Sequence, residues 1–148
     1  MSSFSCNLHQ IVFATKYRDK VLSADNRDSL IKFMWRTCEN KKCLVFAING
    51  VEDHMHIVLK IHSTIAVADL VKTIKVSSTL FIKENKLFPG FISWQGGYGH
   101  FTYSNSAKNN LVRYVENQVK HHAKVESRKE LIVLMKPRDI DFREEGVE

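Results

Sequence analysis

The chain has 148 residues, of which 44% are hydrophobic and 26% charged, and its formal net charge at pH 7 is +6. That composition is typical of one ordinary globular domain, and no apolar run approaches the ~20 residues that a membrane span requires. The three cysteines form no C-x-x-C pair, and the N-terminus lacks a basic segment followed by an apolar one. We therefore expect a single cytoplasmic domain over residues 1–148, with reduced thiols and no membrane partner.

The positive charge suits a polyanionic partner, and nucleic acid is the first candidate. A merely basic soluble protein would show the same balance, so charge alone does not decide between the two interpretations.

The periodicity of the sequence predicts alternating strands and helices. Apolar and β-branched runs predict strands at residues 8–15, 43–48, 53–61 and 101–103. Apolar residues at helical spacing predict helices at about residues 25–40 and 65–84, a third helix that carries residues 111–119, and a last amphipathic segment at residues 127–136. The order is strand, helix, two strands, helix, strand, helix, helix. It predicts a ferredoxin-like, RRM-like α+β fold with an antiparallel βαββαβ sheet and additional C-terminal helices.

Polar residues at the predicted boundaries supply caps and turns. Helix caps are available from three groups of side chains: Ser23 or Asp25, Thr64, and Asn105 or Ser106. Asn49-Gly50 is a turn signal between the second and third strands, which we expect to be antiparallel neighbours.

The third predicted strand contains the sequence Asp53-His54-Met55-His56. Side chains alternate faces along a strand, so His54 and His56 point to one side and Met55 to the other. Two imidazoles side by side are a ready pair of metal ligands. Two surface histidines on a half-exposed strand are the simpler alternative. Asp53 can hydrogen-bond an imidazole and set its orientation, or it can cap a turn.

The third predicted helix contains Tyr114 and Gln118 four residues apart, which places them on one helix face. A phenol, an amide oxygen and two imidazoles could form a phosphoryl-transfer centre, in which the metal polarises a phosphate and the tyrosine attacks it. Considered alone, Tyr114 could equally be an aromatic residue at the edge of the core.

Several basic and aromatic side chains are candidates for contact with DNA. Lysines and arginine could contact the backbone and aromatics could stack on bases, and the candidates are Lys16, Tyr17, Arg18, Lys41, Lys42, Lys72, Lys75 and Tyr98. For Lys72 and Lys75, on the second predicted helix, a solvated helix face is the alternative. Trp94 could stack on a base or pack in the core.

Four stretches of the chain together carry a family resemblance. They are residues 11–18, the Asp53-His54-Met55-His56 segment, residues 94–99 with Phe101 after them, and residues 114–118. In this order they resemble the HUH-type single-tyrosine transposases, the TnpA-like enzymes of small bacterial insertion sequences, and their REP-associated relatives. The closing segments at residues 131–134 and 139–142 are similar to that family as well.

The resemblance implies a site and a reaction. Tyr114 would be the nucleophile, and His54, His56 and Gln118 would bind Mg²⁺ or Mn²⁺. The enzyme would cut single-stranded DNA at subterminal hairpins of insertion-sequence ends, keep the 5′-phosphate on the tyrosine and reseal the strand later without ATP. It would act as a bacterial or archaeal homodimer whose Tyr114 helix can work in trans. The glycines at 96, 97 and 99, ahead of that helix, would let it swing.

Three alternatives stay open on the sequence. One is a domesticated relative that processes chromosomal hairpins, and another is a rolling-circle initiator or relaxase that uses the same histidine pair. The third is a non-catalytic ferredoxin-like module that binds nucleic acid.

Overall fold

The computed structural model describes residues 7–117. Four antiparallel strands form one sheet in the order β2-β3-β1-β4. The strands are β1 (Leu8–Ala14), β2 (Leu44–Gly50), β3 (His54–Lys60) and β4 (Gly99–Tyr103). The helices are α1 (Ala24–Asn40), α2 (Val67–Glu84) and α3 (Lys108–Glu116), and two short 3-10 turns lie at Lys16–Arg18 and Asn105–Ala107. The predicted α+β ferredoxin-like fold is confirmed.

The two faces of the sheet are covered by different helices. On one face α1 and α2 pack on alternate strand residues, among them Ile11, Phe13, Met55 and Ile57. On the other face α3 packs through Leu111 and Val115 against side chains of the first three strands, namely Leu8, Ala47 and Val58. The sheet therefore carries two separate apolar layers, and β1, β2 and β3 each contribute to both through the alternation of their side chains.

The histidine-containing strand β3 lies in the interior of the sheet. It pairs with β2 on one side and with β1 on the other, where His54 opposes Ala14 and His56 opposes Val12. Every residue of β3 except Lys60 is buried. A strand bonded on both edges and covered on both faces fixes its side chains, so the alternative of two surface histidines is wrong.

Several predicted boundaries move by one or two residues. Strand β2 runs through Asn49 and Gly50, because the ladder continues to pair them with His56 and Met55. The connection to β3 is therefore shorter than the Asn49-Gly50 turn signal indicated.

The predicted caps do not act as caps. Ser23 occupies the N-cap position of α1 without a side-chain cap hydrogen bond, and α2 starts after Ala66. Thr64 lies before that point, and its hydroxyl is 2.7 Å from His62 Nδ1. Asn105 and Ser106 belong to a 3-10 turn, and the residue before α3 is Ala107.

The predicted segment at residues 127–136 and Gln118 lie outside the described residues. Within residues 7–117, no helix is long and apolar enough to cross a membrane.

Candidate active site

The two histidines of β3 form a buried pair, as their spacing predicted. His54 and His56 are each 1% exposed. Their ring centroids are 5.0 Å apart and their planes meet at 61°. The pair faces the side of the sheet that α3 covers, whereas Met55 between them belongs to the core under α1 and α2.

Each imidazole is held through its Nδ1 atom. His54 Nδ1 lies 2.8 Å from Asp53 Oδ1, and His56 Nδ1 lies 2.8 Å from Gln10 Nε2. Acceptors placed like the Asp53 carboxylate orient metal-binding histidines in proteins. The amide nitrogen of Gln10 is instead a donor, so in this arrangement a neutral His56 ring carries its proton on Nε2. Because Nδ1 is engaged in both rings, Nε2 is the nitrogen through which each ring would coordinate an ion.

Tyr114 lies beside the histidine pair of its own chain. The centroid of its ring is 6.1 Å from that of His56, and the ring planes are 73° apart. Helix α3 is fixed there by the buried Leu111 and Val115, and by Asn49 Nδ2, which donates to the carbonyl oxygen of Glu116 over 3.1 Å. Packing of α3 on the sheet thus brings the phenol and the imidazoles together.

The donor set at this point fits a divalent cation if a third ligand is added. Two buried imidazoles whose Nδ1 atoms are hydrogen-bonded provide two of the ligands that such an ion needs. Among residues 7–117, no group of three or more His, Cys, Asp or Glu side chains could hold a metal ion. A third ligand would therefore be of another residue type or come from outside residues 7–117, and the predicted one, Gln118, is the residue immediately after the described part.

Arg18 points towards the site, in contrast to its neighbours in the Lys16–Arg18 turn. Tyr17 and Arg18 have φ values of 60° and 57°, a left-handed conformation that side-chain-bearing residues rarely adopt. The Arg18 side chain is 17% exposed, and its Nη2 lies 3.7 Å from Asp53 Oδ2. The strained turn therefore directs a guanidinium at the carboxylate that orients His54.

The exposed DNA-contact candidates fall at both ends of the sheet. Lys16, Tyr17 and Tyr98 are exposed near the end where β1 finishes and β3 begins, which is the end that carries His54. Lys41 and Lys42 precede β2, which starts opposite Lys60. Lys60 is six positions along β3 from His54, or roughly 20 Å. These two lysines are therefore too distant to contact the phosphate that Tyr114 would attack.

The two candidate lysines on α2 differ. Lys72 is exposed, but Lys75 is half-buried and its ammonium group donates to the carbonyl oxygens of Gln95 and Gly97, over 2.8 Å and 2.6 Å. Burial lowers the pKa of Lys75. Lys75 thus fixes the loop before β4, and this internal role makes it a weaker candidate for phosphate contact than its charge indicated.

The glycine run does not adjoin the tyrosine helix. Gly96 and Gly97 have open space around them and Gly97 has a φ of 85°, but Gly99 is the first residue of β4. Strand β4 is paired with β1 and separates the glycines from α3. The expectation that this run lets the helix swing directly is therefore wrong, and the segment that joins β4 to α3 is the Asn105–Ala107 turn.

Trp94 belongs to the core. It is 7% exposed, packs edge-on against Phe13 and Phe91, and its Nε1 donates to Ser78 Oγ over 2.9 Å.

Gln10 and Tyr103 contact the histidine layer, but neither was predicted from the sequence as a site residue. Gln10 is a polar residue within a mostly apolar strand, and this pattern could have indicated a role in the site.

The fold and the site together identify the class of this protein. It has a ferredoxin-like sheet with a buried His-x-His pair, and a helix that carries a tyrosine packs over that pair. Residues 2–118 match the family model described as "Transposase IS200 like", and the chain belongs to that family of DNA-cleaving transposases. It is 25% identical over 116 residues to the ISDra2 transposase TnpA of Deinococcus radiodurans, and the match covers 74% of this chain and 82% of the relative.

Two solved structures share the fold. A protein of Deinococcus radiodurans R1 assigned as a transposase superposes with a TM-score of 0.63 at 23% identity, over 80% of this chain and 95% of that one. A REP-associated tyrosine transposase bound to a REP hairpin superposes with a TM-score of 0.60 at 13% identity, over 86% of this chain and 78% of that one.

Proposed function

We propose that this transposase cuts and rejoins single-stranded DNA at insertion-sequence ends through a 5′-phosphotyrosine intermediate, with Tyr114 as the nucleophile. The observation that carries the proposal is the position of the Tyr114 ring, 6.1 Å from His56 in a buried histidine pair. A phenol next to two buried imidazoles is poorly explained by core packing, because apolar side chains would fill that layer at lower cost.

The proposed reaction is a balanced exchange of phosphodiester bonds. Tyr114 Oη forms a bond to phosphorus while the bond from phosphorus to the 3′ oxygen breaks, and that oxygen leaves as a 3′-OH with a proton. In the return step a 3′-OH attacks the phosphotyrosine, and the phenol regains its proton. Bond energy is kept in the ester, so neither ATP nor any other co-reactant is required.

His54, His56 and Gln118 would hold the divalent ion, Mg²⁺ or Mn²⁺ by family resemblance. When bound, it would polarise the phosphoryl oxygens and offset charge that develops in the transition state. Free tyrosine has a pKa of about 10, so the phenol needs such assistance near neutral pH. Asp53 orients His54, and the Arg18 guanidinium near Asp53 adds positive charge at the edge of the site.

The proposed substrate is a DNA hairpin within a single strand. The related structure bound to a REP hairpin supports this, as does the net charge of +6. Among the exposed contact candidates, Lys16, Tyr17 and Tyr98 lie at the His54 end of the sheet, and the partly buried Arg18 reaches Asp53 within the site. If phosphate contacts contribute, affinity for the hairpin will fall as salt is raised.

We further propose that the active unit is a homodimer. The described chain places Tyr114 beside its own His56, which supports a cis arrangement. Action in trans would require α3 to leave the sheet of its own subunit and pack on that of its partner.

The test is a covalent-adduct assay. Labelled single-stranded hairpin DNA from the ends of the element is incubated with the protein and Mn²⁺ or Mg²⁺, and the products are separated on a denaturing gel. We expect a protein–DNA band that requires metal and is lost in Tyr114→Phe. Asn110→Ala, an exposed change on the same helix, should retain the band. If cognate ends and either metal give no adduct, the protein is a binding module or an inactive relative.

A further inference from the structure

Gln10 is a buried amide in the layer that carries the two histidines. It is 0% exposed, and it connects His56 to Tyr103 across the sheet. Gln10 Nε2 lies 2.8 Å from His56 Nδ1, and Gln10 Oε1 accepts a hydrogen bond from Tyr103 Oη over 2.9 Å. A polar side chain buried this completely requires partners for both ends of its amide.

The amide can satisfy both neighbours in two ways. As described, its N–H donates to His56 Nδ1, so the neutral ring carries its proton on Nε2. After a half-turn of the amide, Oε1 would accept the N–H of His56 Nδ1, and Nε2 would donate to Tyr103 Oη. A phenol hydroxyl both donates and accepts, so Tyr103 can satisfy Gln10 in either orientation.

The two histidines therefore differ in what fixes their tautomer. Asp53 faces His54 Nδ1 with a carboxylate oxygen at 2.8 Å, and an ionised carboxylate only accepts. His54 thus keeps its proton on Nδ1 and has a lone pair on Nε2. His56 has no such constraint from Gln10, whose amide offers a donor as readily as an acceptor.

We propose that Gln10 is a positioning residue whose amide orientation selects the tautomer of His56, with Tyr103 accommodating both orientations. Only the orientation in which Oε1 faces His56 leaves a lone pair on His56 Nε2. Coordination of an ion by the pair is therefore coupled to a half-turn of Gln10. The tautomer selection stands on the described contacts alone, and its link to the ion rests on the function proposed above.

The first measurement uses the unmodified protein. The ¹⁵N shifts of the His56 ring distinguish Nδ1–H from Nε2–H and are recorded without metal and during addition of Mg²⁺. We expect the Nε2–H form to be populated in the metal-free protein and to be replaced by Nδ1–H as Mg²⁺ binds. A metal-free ring that is already wholly Nδ1–H would overturn the half-turn.

The second measurement changes Gln10. An ionised carboxylate in Gln10→Glu supplies only acceptors, so at neutral pH we expect His56 to be Nδ1–H without metal and Mn²⁺ to bind at least as tightly as in the unmodified protein. Gln10→Met has similar length and no hydrogen bonds to offer, so the ring should lose its preference and Mn²⁺ affinity should fall by about 10- to 100-fold. Gln95→Met is the matched control, because Gln95 Oε1 bonds the amide of Tyr17 rather than a histidine.

The outcomes separate the two proposals. If the His56 tautomer is the same in all three forms of residue 10, the role of Gln10 is refuted, whatever the affinity for Mn²⁺. If the tautomer follows residue 10 but Mn²⁺ binds to neither the unmodified protein nor Gln10→Glu, the role of Gln10 stands and the proposed metal site fails. Amide spectra of each variant show whether the sheet has formed, and the Mg²⁺ titration of the unmodified protein needs no substitution.

Discussion

Tyr114 and His56 face each other within a single chain, with ring centroids 6.1 Å apart and planes at 73°. The contact depends on α3, which places the tyrosine between the buried Leu111 and Val115 and lies across the face of the sheet that carries the histidines. The packing of α3 on the sheet thus places the proposed nucleophile beside the proposed metal ligands.

This geometry predicts that each subunit completes its own site. Mixed dimers of a Tyr114→Phe subunit with a His54→Ala subunit should form no more covalent adduct than either variant alone. Metal-dependent adduct formation on a denaturing gel is the measurement, and a mixture of unmodified and doubly substituted subunits provides the positive control. Recovered activity in the mixed dimers would show that α3 packs on the partner subunit.

Asp53→Asn should weaken metal binding by about 10- to 100-fold, the usual cost of losing a group that orients a ligand. The carboxylate holds the proton of His54 on Nδ1, and an amide can hold either tautomer. Calorimetric titration with Mn²⁺ measures the effect. The matched control is Glu52→Gln, which neutralises the exposed neighbouring acid. Equal losses in both variants would indicate that charge alone attracts the ion.

The His9–His100 pair predicts a loss of stability in weak acid. His9 Nδ1 and His100 Nε2 are 2.8 Å apart. Burial, and then the proximity of His100, lower the pKa of His9 below 6.5, and burial lowers the pKa of His100. The unfolded chain therefore binds more protons as the pH falls through about 6.5, so this contribution to stability is present above that pH and is lost below it.

Urea unfolding at several pH values between 7.5 and 5 measures this contribution. His100→Gln removes one titrating ring and the repulsion between the two, so the unfolding free energy should depend less on pH than in the unmodified protein. His62→Gln is the control, because His62 lies outside the pair. An unchanged dependence in His100→Gln would show that other groups cause the loss.

Gly50→Ala should destabilise the protein by about 1–3 kcal/mol, the usual cost of overpacking. A Cβ at this position would overlap the sulfur of Met55 and lie 2.7 Å from the carbonyl oxygen of His54. The start of β3 would have to shift, and metal affinity should fall as well. Gly96→Ala is the control, since no heavy atom lies within 4 Å of its Cβ position. Denaturant unfolding measures the free energy of unfolding of the two variants. Equal values for Gly50→Ala and Gly96→Ala would contradict the prediction.

The parts of the site that the sequence predicted depend on local periodicity. The alternation of β3 placed His54 and His56 on one face because side chains in any strand alternate. The apolar residues of α3 likewise indicated which of its faces is buried. The order of elements was enough to predict the fold, since few topologies accommodate it.

The remaining parts of the site depend on contacts between distant segments. Gln10 becomes significant only when β1 is paired with β3 and Tyr103 is brought alongside it on β4. The role of Lys75 in fixing the loop before β4 depends on its hydrogen bonds to the carbonyl oxygens of Gln95 and Gly97. These residues are 20 and 22 positions away along the chain, so no local sequence pattern indicates the contact. The inward turn of Arg18 arises from two left-handed residues without glycine, for which sequence propensities give no signal.

The pairing of β4 with β1 has a mechanical consequence for the proposed strand transfer. Because the sheet holds Tyr103, any pivot of α3 must lie in the few residues between Tyr103 and Lys108. Tyr114 is six residues into the helix, about 9 Å from its start. Helix α3 would then rotate about the Asn105–Ala107 turn, and a 5′ end covalently attached to Tyr114 would move along a narrow arc. Shortening that turn would restrict the arc without touching any group that takes part in the chemistry.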